Sequence, residues 1–242
     1  MRHFFLCALA FAAVTIGSSQ SAAVSTLFSK SKAPAVVATR VAEDTRGMRL
    51  NAAEFQSIHD QRPGALTLEL DLPGVGLAQV EMNQFCNLSS DFTIARTTAE
   101  GTREEHYVPQ LVTYEVMAAT TPRGRTEDVS GTFVFFRNHM QATMYVAGVQ
   151  WEVRPASSEA HLSAQFEEDY LVFDINKSIA ENGFTCAVED REQAIDRPQV
   201  NSQRSLVPQC VEIGLDIDNY TYNTFADCYG AIDWALGVLA GV

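Results

Sequence analysis

The sequence predicts a mainly β region, folded as an antiparallel sandwich or meander, followed by one strand and one helix that open a second, α/β domain. Apolar and polar residues alternate through much of residues 65–175, which is the period of strands with one buried face. After residue 224 the apolar residues recur at helical spacing instead. A hydrophobic fraction of 46% supplies enough apolar side chains for a substantial core.

Residues 1–23 have the layout of a secretory signal peptide. A basic start at Arg2 and His3 is followed by an apolar stretch over residues 4–16 and by small residues at 21–23. The apolar stretch is too short to span a bilayer stably, so we expect it to be cleaved and not to act as an anchor. The sequence therefore predicts a secreted product, extracellular or periplasmic, with no membrane partner.

Charge and cysteine content limit the partners and the compartment. The formal net charge of -13 excludes nucleic acid as a partner, because nothing would neutralise its phosphate backbone. Once Cys7 is removed with the signal peptide, the cysteines that remain are Cys86, Cys186, Cys210 and Cys228. In an oxidising compartment they allow more than one disulfide connectivity, and their spacing does not choose among the possibilities.

Residues 24–64 are expected to form a leader with one uncertain helix, and residues 65–188 a β-rich domain. Strand-like runs begin with "ALTLELDLPG", and the runs "LVTYEVMAA" and "YLVFDI" follow along the chain. The clearest stretch predicts strands at 132–137, 141–146 and 149–153 with tight turns between them. These strands carry no catalytic pattern, so we interpret them as structural.

Residues 189–209 are predicted to be a linker between domains. They are polar, contain Pro198 and Pro208, and lack an apolar period. Arg197 and Arg204 are candidate cleavage sites for an activating protease. No Lys or Arg follows Arg204, and this change in charge supports a domain boundary.

Residues 210–242 combine a strand, a turn and a helix. Apolar and polar residues alternate over 211–217, and Thr224 with Asp227 forms a variant of the capping box that starts helices. One helical face is traced by Phe225, Tyr229, Ile232, Leu236, Leu239 and Val242. A second face is also apolar, so we expect this helix to belong inside a larger domain of which this chain holds only the start.

The stretch "VEIGLDIDNYTYNTFAD" resembles the opening strand, turn and first helix of the reprolysin-like (adamalysin) metalloproteases of the metzincin clan. Those domains carry a Glu on the strand and an Asp six residues later, as Glu212 and Asp218 do here. The resemblance implies a truncated α/β metzincin-like domain at 210–242. The preceding order of signal peptide, β-rich region, Cys186 and Arg-containing linker matches the secreted zymogens of this family, whose β-rich part is a propeptide. The implied function is a secreted zinc-dependent metalloendopeptidase that acts on protein or peptide substrates.

The defining zinc motif of that family is absent from the sequence. H-E-x-x-H places two histidines one helical turn apart on a zinc ion, while the Glu handles the proton of the attacking water. The histidines of the mature chain, none of which begins this motif, are His59, His106, His139 and His161. We therefore expect no catalytic residue in this chain, zinc ligands outside it, and no peptidase activity from this fragment alone.

The resemblance also suggests roles for individual residues. Cys186 would be the latency cysteine that occupies the fourth zinc position, although "TCAVED" lacks the Gly that usually follows it; the alternative is a disulfide with Cys86. Glu212 would contribute to a structural calcium site, and the alternative is a solvent-facing residue of an edge strand. A local disulfide between Cys210 and Cys228 is a further prediction, with other pairings left open.

A second interpretation takes residues 65–175 as the working part of the protein. It describes a secreted β-sandwich binding module or protease inhibitor with a short helical tail. This interpretation predicts that the C-terminal helix is covered, whereas the protease interpretation predicts an exposed apolar helix.

Three asparagines lie in N-x-S/T triplets: Asn87, Asn176 and Asn219. These triplets matter only in a source that glycosylates its secreted proteins.

Overall fold

The fold is taken from a computed structural model of the chain. The residues it describes are 24–31, 42, 44–86, 88, 92–156, 168–177, 217, 225 and 228–240. The predicted signal peptide, the predicted linker at 189–209 and most of the predicted strand at 211–217 lie outside these residues.

The described residues form mainly β-strands. The strands are β1 (Val24–Ser25), β2 (Phe28–Ser31), β3 (Arg46–Leu50), β4 (Ala65–Leu72), β5 (Gly76–Phe85), β6 (Thr93–Thr98), β7 (Gly101–His106), β8 (Val112–Thr121), β9 (Gly124–Thr126), β10 (Ser130–Phe135), β11 (Met140–Val146), β12 (Val149–Pro155) and β13 (Asp169–Asp174). The helices are α1 (Ala52–Gln61), a short 3-10 helix (Ile175–Lys177) and α2 (Cys228–Ala240). None of the described helices is long and apolar enough to cross a membrane.

One large sheet contains all the strands except the separate β6–β7 hairpin. Its order is β1-β4-β5-β8-β10-β11-β12-β13-β3-β2, with β9 paired to β8. Every described pair is antiparallel except β1 with β4. The two ends of this order, β1 and β2, are neighbours in the chain, so one N-terminal segment pairs with both β4 and β3. This shared segment brings the sheet ends together and makes the sheet a nearly closed barrel.

The closing segment is fixed by contacts at its middle and its end. Leu27, between β1 and β2, is buried in the core, and its carbonyl oxygen accepts a hydrogen bond from the Asn51 amide at 2.8 Å. Lys30 on β2 forms an ion pair with Asp71 on β4, with 3.1 Å between Nζ and Oδ2. This exposed pair contributes little free energy, but it lies across the seam where the sheet ends meet.

Alternating residues of nearly every strand fill the interior. On β4, the buried residues Leu66, Leu68, Leu70 and Leu72 all join the central apolar cluster. The period of two in the sequence places these side chains on the concave face. The largest fully buried side chains of the interior include Tyr114, Phe133, Phe135, Met140 and Tyr170. The barrel is therefore a packed core and not a channel.

Helix α1 lies between β3 and β4 in the chain, and it packs against the central apolar cluster. It begins after Asn51, whose side-chain oxygen accepts a hydrogen bond from the Glu54 amide at 3.3 Å. Phe55 and Ile58 are buried in the central cluster, and the ring of Phe55 lies 5.8 Å from that of Phe135. The Ser25 hydroxyl donates to the Glu54 carboxylate at 2.7 Å, which ties this helix to β1.

The predicted fold class is wrong. The described residues form a nearly closed antiparallel barrel with one C-terminal helix, and they contain no metzincin-like α/β arrangement of helices. Neither the sandwich nor the simple meander fits, because β1, β2, β3 and α1 come from residues 24–64 and complete the sheet. Strands such as "FSKS" and "RGMRL" are short and largely polar, and they are stabilised by distant partners that local periodicity does not reveal.

Candidate functional site

Most of the predicted site residues lie outside the part of the chain that the structure describes. This holds for Cys186, Arg197, Arg204, Cys210 and Glu212, so their predicted roles stay predictions.

Two of the predicted disulfide residues are described. Cys86 is exposed just after β5, and Cys228 is half-buried at the first residue of α2. Among the described residues neither sulfur has a disulfide partner, so the two do not bond to each other. Pairing of either residue with Cys186 or Cys210 stays a prediction.

A metal site was tested on the described residues. They contain no group of three or more His, Cys, Asp or Glu side chains that could hold a metal ion. Zinc and calcium therefore do not fit the described residues, and no reaction step is assigned to a metal in this part of the chain.

The candidate site in the described structure is the surface on the outside of the barrel where α2 packs. We call it the helix-docking surface and define it by Ile94, Tyr107, Leu111, Val134 and Phe136, which contact α2 residues in two apolar clusters. The run "TFVFF" on and after β10 creates half of this surface. Phe133 and Phe135 point into the barrel. Val134 and Phe136 point outwards, towards α2.

Leu236 and Ala240 are the buried α2 residues that belong to the two apolar clusters of the helix-docking surface. Leu236 is 4% exposed and packs with Ile94 and Tyr107, while Ala240 packs with Val134 and Phe136. Their four-residue spacing places both side chains on one helical face. Full burial of a leucine side chain is worth about 2 kcal/mol, so this face alone favours docking.

Gly237 lies between these residues and allows a close approach. A Cβ atom at this position would lie 2.4 Å from Cζ of Phe136, well inside ordinary contact distance. The Phe136 ring is stacked on His139, with centroids 4.5 Å apart and planes 12° apart. A backbone hydrogen bond of 2.9 Å from the Phe136 amide to the His139 carbonyl closes the turn that carries both rings. The stacking and the closed turn limit the movement of the ring, and a larger residue at position 237 would have to displace it.

Asp233 anchors the helix through hydrogen bonds. Its Oδ1 atom accepts from the Tyr107 hydroxyl at 2.9 Å and from the Gln110 amide at 3.2 Å. Tyr107 is 8% exposed, so this charge-assisted bond is partly shielded from water. On the other side of the same loop, Nε2 of His59 lies 2.6 Å from the Gln110 carbonyl oxygen, which only accepts, so Nε2 carries the proton. The 107–111 loop is therefore held between α1 and α2.

Tyr229 adds an aromatic contact at the start of α2. Its ring is stacked on Tyr107, with centroids 5.2 Å apart and planes 4° apart. Its hydroxyl donates to the Glu105 carboxylate at 3.2 Å, and the negative charge of Glu105 raises the pKa of Tyr229. Tyr229, Asp233 and Gly237 are spaced by four residues and therefore lie on one face of the helix. Along this face Tyr229 stacks on Tyr107, Asp233 accepts hydrogen bonds, and Gly237 leaves room for the Phe136 ring.

The opposite face of α2 is exposed. Val238 is 50% and Trp234 36% exposed, and the Trp234 ring lies 5.8 Å from that of Phe225. The helix is thus covered on the barrel side and open to solvent on the other. The binding-module interpretation predicted a covered helix, as on the inner face, and the protease interpretation predicted an exposed apolar helix, as on the outer face.

In the described residues the helix-docking surface contacts α2 through apolar packing, a close approach at Gly237 and the hydrogen bonds to Asp233. Comparison of the chain with protein-family models, with curated proteins and with solved structures finds no match. The signal for this surface in the sequence is the apolar run "FVFF" at β10, which supplies apolar side chains to both faces of the strand.

Proposed function

We propose that this chain is the N-terminal part of a secreted zinc-dependent metalloendopeptidase zymogen, in which the barrel is the propeptide-like module. In this proposal the barrel binds α2, the helix of the protease-like segment at 210–242. Binding of an amphipathic helix in an apolar groove is a common mode of peptide recognition. While α2 is held on the barrel, its inner face cannot pack against the rest of a protease, and this competition keeps the enzyme inactive.

The observation that carries the proposal is the specificity of the contact between α2 and the barrel. A random collapse of an apolar helix onto a β surface would need neither a glycine against Phe136 nor a carboxylate that accepts from Tyr107. The partners belong to two segments that the sequence separates by the predicted linker at 189–209. The resemblance of 210–242 to metalloproteases, together with the secretory signal peptide and the Arg-containing linker, supports the zymogen assignment.

Zinc would be bound by residues outside this chain. The described residues offer no ligand set for it, so the role assigned to them is limited to holding the helix. Cleavage in the linker by an activating protease would convert this intramolecular contact into one between two chains. Dilution would then favour release of the helix, because the effective concentration supplied by the linker is lost.

The test is to express the protein from its complete gene and to measure its zinc content and peptidase activity before and after cleavage in the linker. We expect zinc-dependent activity only after cleavage. The variant Phe136→Ala should show activity before cleavage, because the apolar contact of the barrel with Ala240 of α2 is lost. The matched control Tyr145→Ala removes a 38% exposed aromatic residue on the neighbouring strand β11 and should stay silent. A gene without H-E-x-x-H, or a cleaved product without peptidase activity, would contradict the proposal.

A second candidate function is that of a secreted binding module or protease inhibitor. The observation that favours it is the coverage of the inner face of α2, including Ala231 at 1% and Leu236 at 4% exposure. In this case the helix would be a permanent part of the module. Cleavage at 197–204 would then leave α2 bound at any dilution, and the complete gene product would have no peptidase activity.

A further inference from the structure

We propose that Asn176 is an N-glycosylation site. Asn176, Lys177 and Ser178 form an N-x-S triplet whose middle residue is not proline, which is the acceptor motif for N-linked oligosaccharides. The triplet begins in the short 3-10 helix that directly follows β13. Both Asn176 and Lys177 are exposed. The inference rests on the proposed export of the chain and not on its being a zymogen.

The contacts of Asn176 are local to the turn. Its backbone amide donates to Oδ1 of Asp174 at 3.0 Å, and its side-chain amide Nδ2 lies 3.3 Å from the same oxygen. The backbone bond alone keeps the turn closed, so Nδ2 can leave Asp174 without disturbing the core. Lys177 reaches in another direction and donates to Oδ2 of Asp44 at 2.8 Å. As far as the described residues go, a sugar on Nδ2 would therefore extend into solvent without displacing a buried side chain.

The position of Asn176 in the fold also leaves the helix-docking surface clear. Strand β13, which precedes Asn176, pairs with β12 and β3, whereas the docking surface includes β10. Two strands, β11 and β12, separate β10 from β13 in the sheet. A glycan at Asn176 is thus compatible with α2 docking, and it would shield a different part of the barrel.

The reaction needs a glycosyl donor in the secretory compartment, of the class of lipid-pyrophosphate-linked oligosaccharides. Nδ2 of Asn176 attacks the anomeric carbon of the sugar and forms a C–N bond. The C–O bond to the pyrophosphate breaks, and the lipid pyrophosphate leaves with the electron pair. The amide nitrogen loses one proton to a base of the transferase. No oxidant or reductant is required, and the product is a neutral glycosylated amide.

The experiment translates the full chain in the presence of microsomes and analyses only the chains that added protease cannot reach. We expect a gain in mass that an N-glycosidase removes, with conversion of Asn176 to aspartate in the released peptide. Asn176→Gln and Ser178→Ala should each lose one glycan, whereas the conservative control Ser178→Thr should keep it. Glycosylation at the other triplets, Asn87 and Asn219, is counted separately by peptide mass.

Three outcomes would overturn the inference. They are an unchanged glycan number in Asn176→Gln, an Asn176 that remains asparagine after N-glycosidase treatment, and the absence of any protected chain in the microsomes. The first two leave the zymogen proposal untouched, because α2 docking does not depend on Asn176. The zymogen proposal fails instead when the complete gene product shows no peptidase activity, so the two failures are distinguishable.

Discussion

Replacing Gly237 by alanine should make α2 a better helix and a worse partner for the barrel. Alanine in a helix interior is favoured over glycine by about 1 kcal/mol, so the isolated helix gains stability. In the docked state the new Cβ would lie 2.4 Å from Cζ and 2.7 Å from Cε1 of Phe136. Ordinary contact begins at 3.4 Å, so the ring or the helix must move by 3.4 − 2.4 = 1.0 Å.

The free-energy cost of this movement decides whether Gly237→Ala weakens or strengthens docking of α2. Overpacking a well-packed contact costs about 1–3 kcal/mol, and moving the Phe136 ring would also disturb its stacking on His139. Subtraction of the gain of about 1 kcal/mol in helix propensity leaves a net loss of docking free energy near 1 kcal/mol. This corresponds to about a fivefold change in the docking equilibrium. Gly237→Leu adds three further carbons at the same place and should weaken docking by at least about 2 kcal/mol.

Two measurements separate the gain in helix propensity from the cost of overpacking against Phe136. Circular dichroism of peptides spanning 224–242, with lysines added at both ends for solubility, reports the helicity of the free helix. Hydrogen exchange of the α2 amides in the intact chain reports the free energy of local opening. We expect Gly237→Ala to raise peptide helicity and to lower amide protection about fivefold. The control Val238→Ala, on the 50% exposed face, should raise peptide helicity and leave protection equal or higher. If protection rises in Gly237→Ala, the close contact with Phe136 does not exist in solution.

Three further results are expected. Asp233→Asn removes the charge of the acceptor and Tyr107→Phe removes the donor, and each should lower α2 protection by about 1–2 kcal/mol. The double variant should cost less than the sum, because both changes act on the same 2.9 Å hydrogen bond. Ionisation of Tyr229 should not affect docking below pH 10, the ordinary pKa of tyrosine. Docking should weaken as the pH rises through the raised pKa of Tyr229, because the phenolate would repel Glu105. Tyr229→Phe should abolish this alkaline loss, as measured by hydrogen exchange extrapolated from a pH series. Tyr114→Phe should increase the free energy of unfolding in urea at neutral pH by about 1 kcal/mol, because the buried hydroxyl has no hydrogen-bond partner among the described residues. Burial raises the pKa of Tyr114 to about 12, so the wild type should also lose stability above pH 10, whereas Tyr114→Phe should not. If Tyr114→Phe is less stable than the wild type in urea, the hydroxyl has a hydrogen-bond partner and the reasoning is wrong.

The positions of the central strands were predictable from the sequence because their alternation is regular. The strands predicted at 132–137, 141–146 and 149–153 are observed as Ser130–Phe135, Met140–Val146 and Val149–Pro155. These neighbours form consecutive hairpins, so both their pattern and their pairing are local. Short connections and period-two patterning are the features that sequence reasoning captures well.

Closure of the barrel was not predictable in the same way. Phe28 pairs with Leu50, and Arg49 pairs with Asp169 far along the chain. Neither β2 nor β3 has the apolar content that marks a strand by itself, because each needs only a few inward side chains to complete the wall. The docking of α2 depended on similar long-range information. Its apolar faces were visible in the sequence, but nothing there indicated that Gly237 would meet Phe136.

The central claim is that the barrel binds α2 as a separable helix. The most direct test inserts a specific protease site at 197–204, cuts the purified chain, and measures by gel filtration and mass spectrometry whether the C-terminal fragment stays with the barrel. We predict that the two pieces co-elute at high concentration and separate on dilution, and that Gly237→Leu separates at much lower dilution than the wild type. Separation of the wild-type pieces at every concentration, or their co-elution at every dilution, would contradict the account.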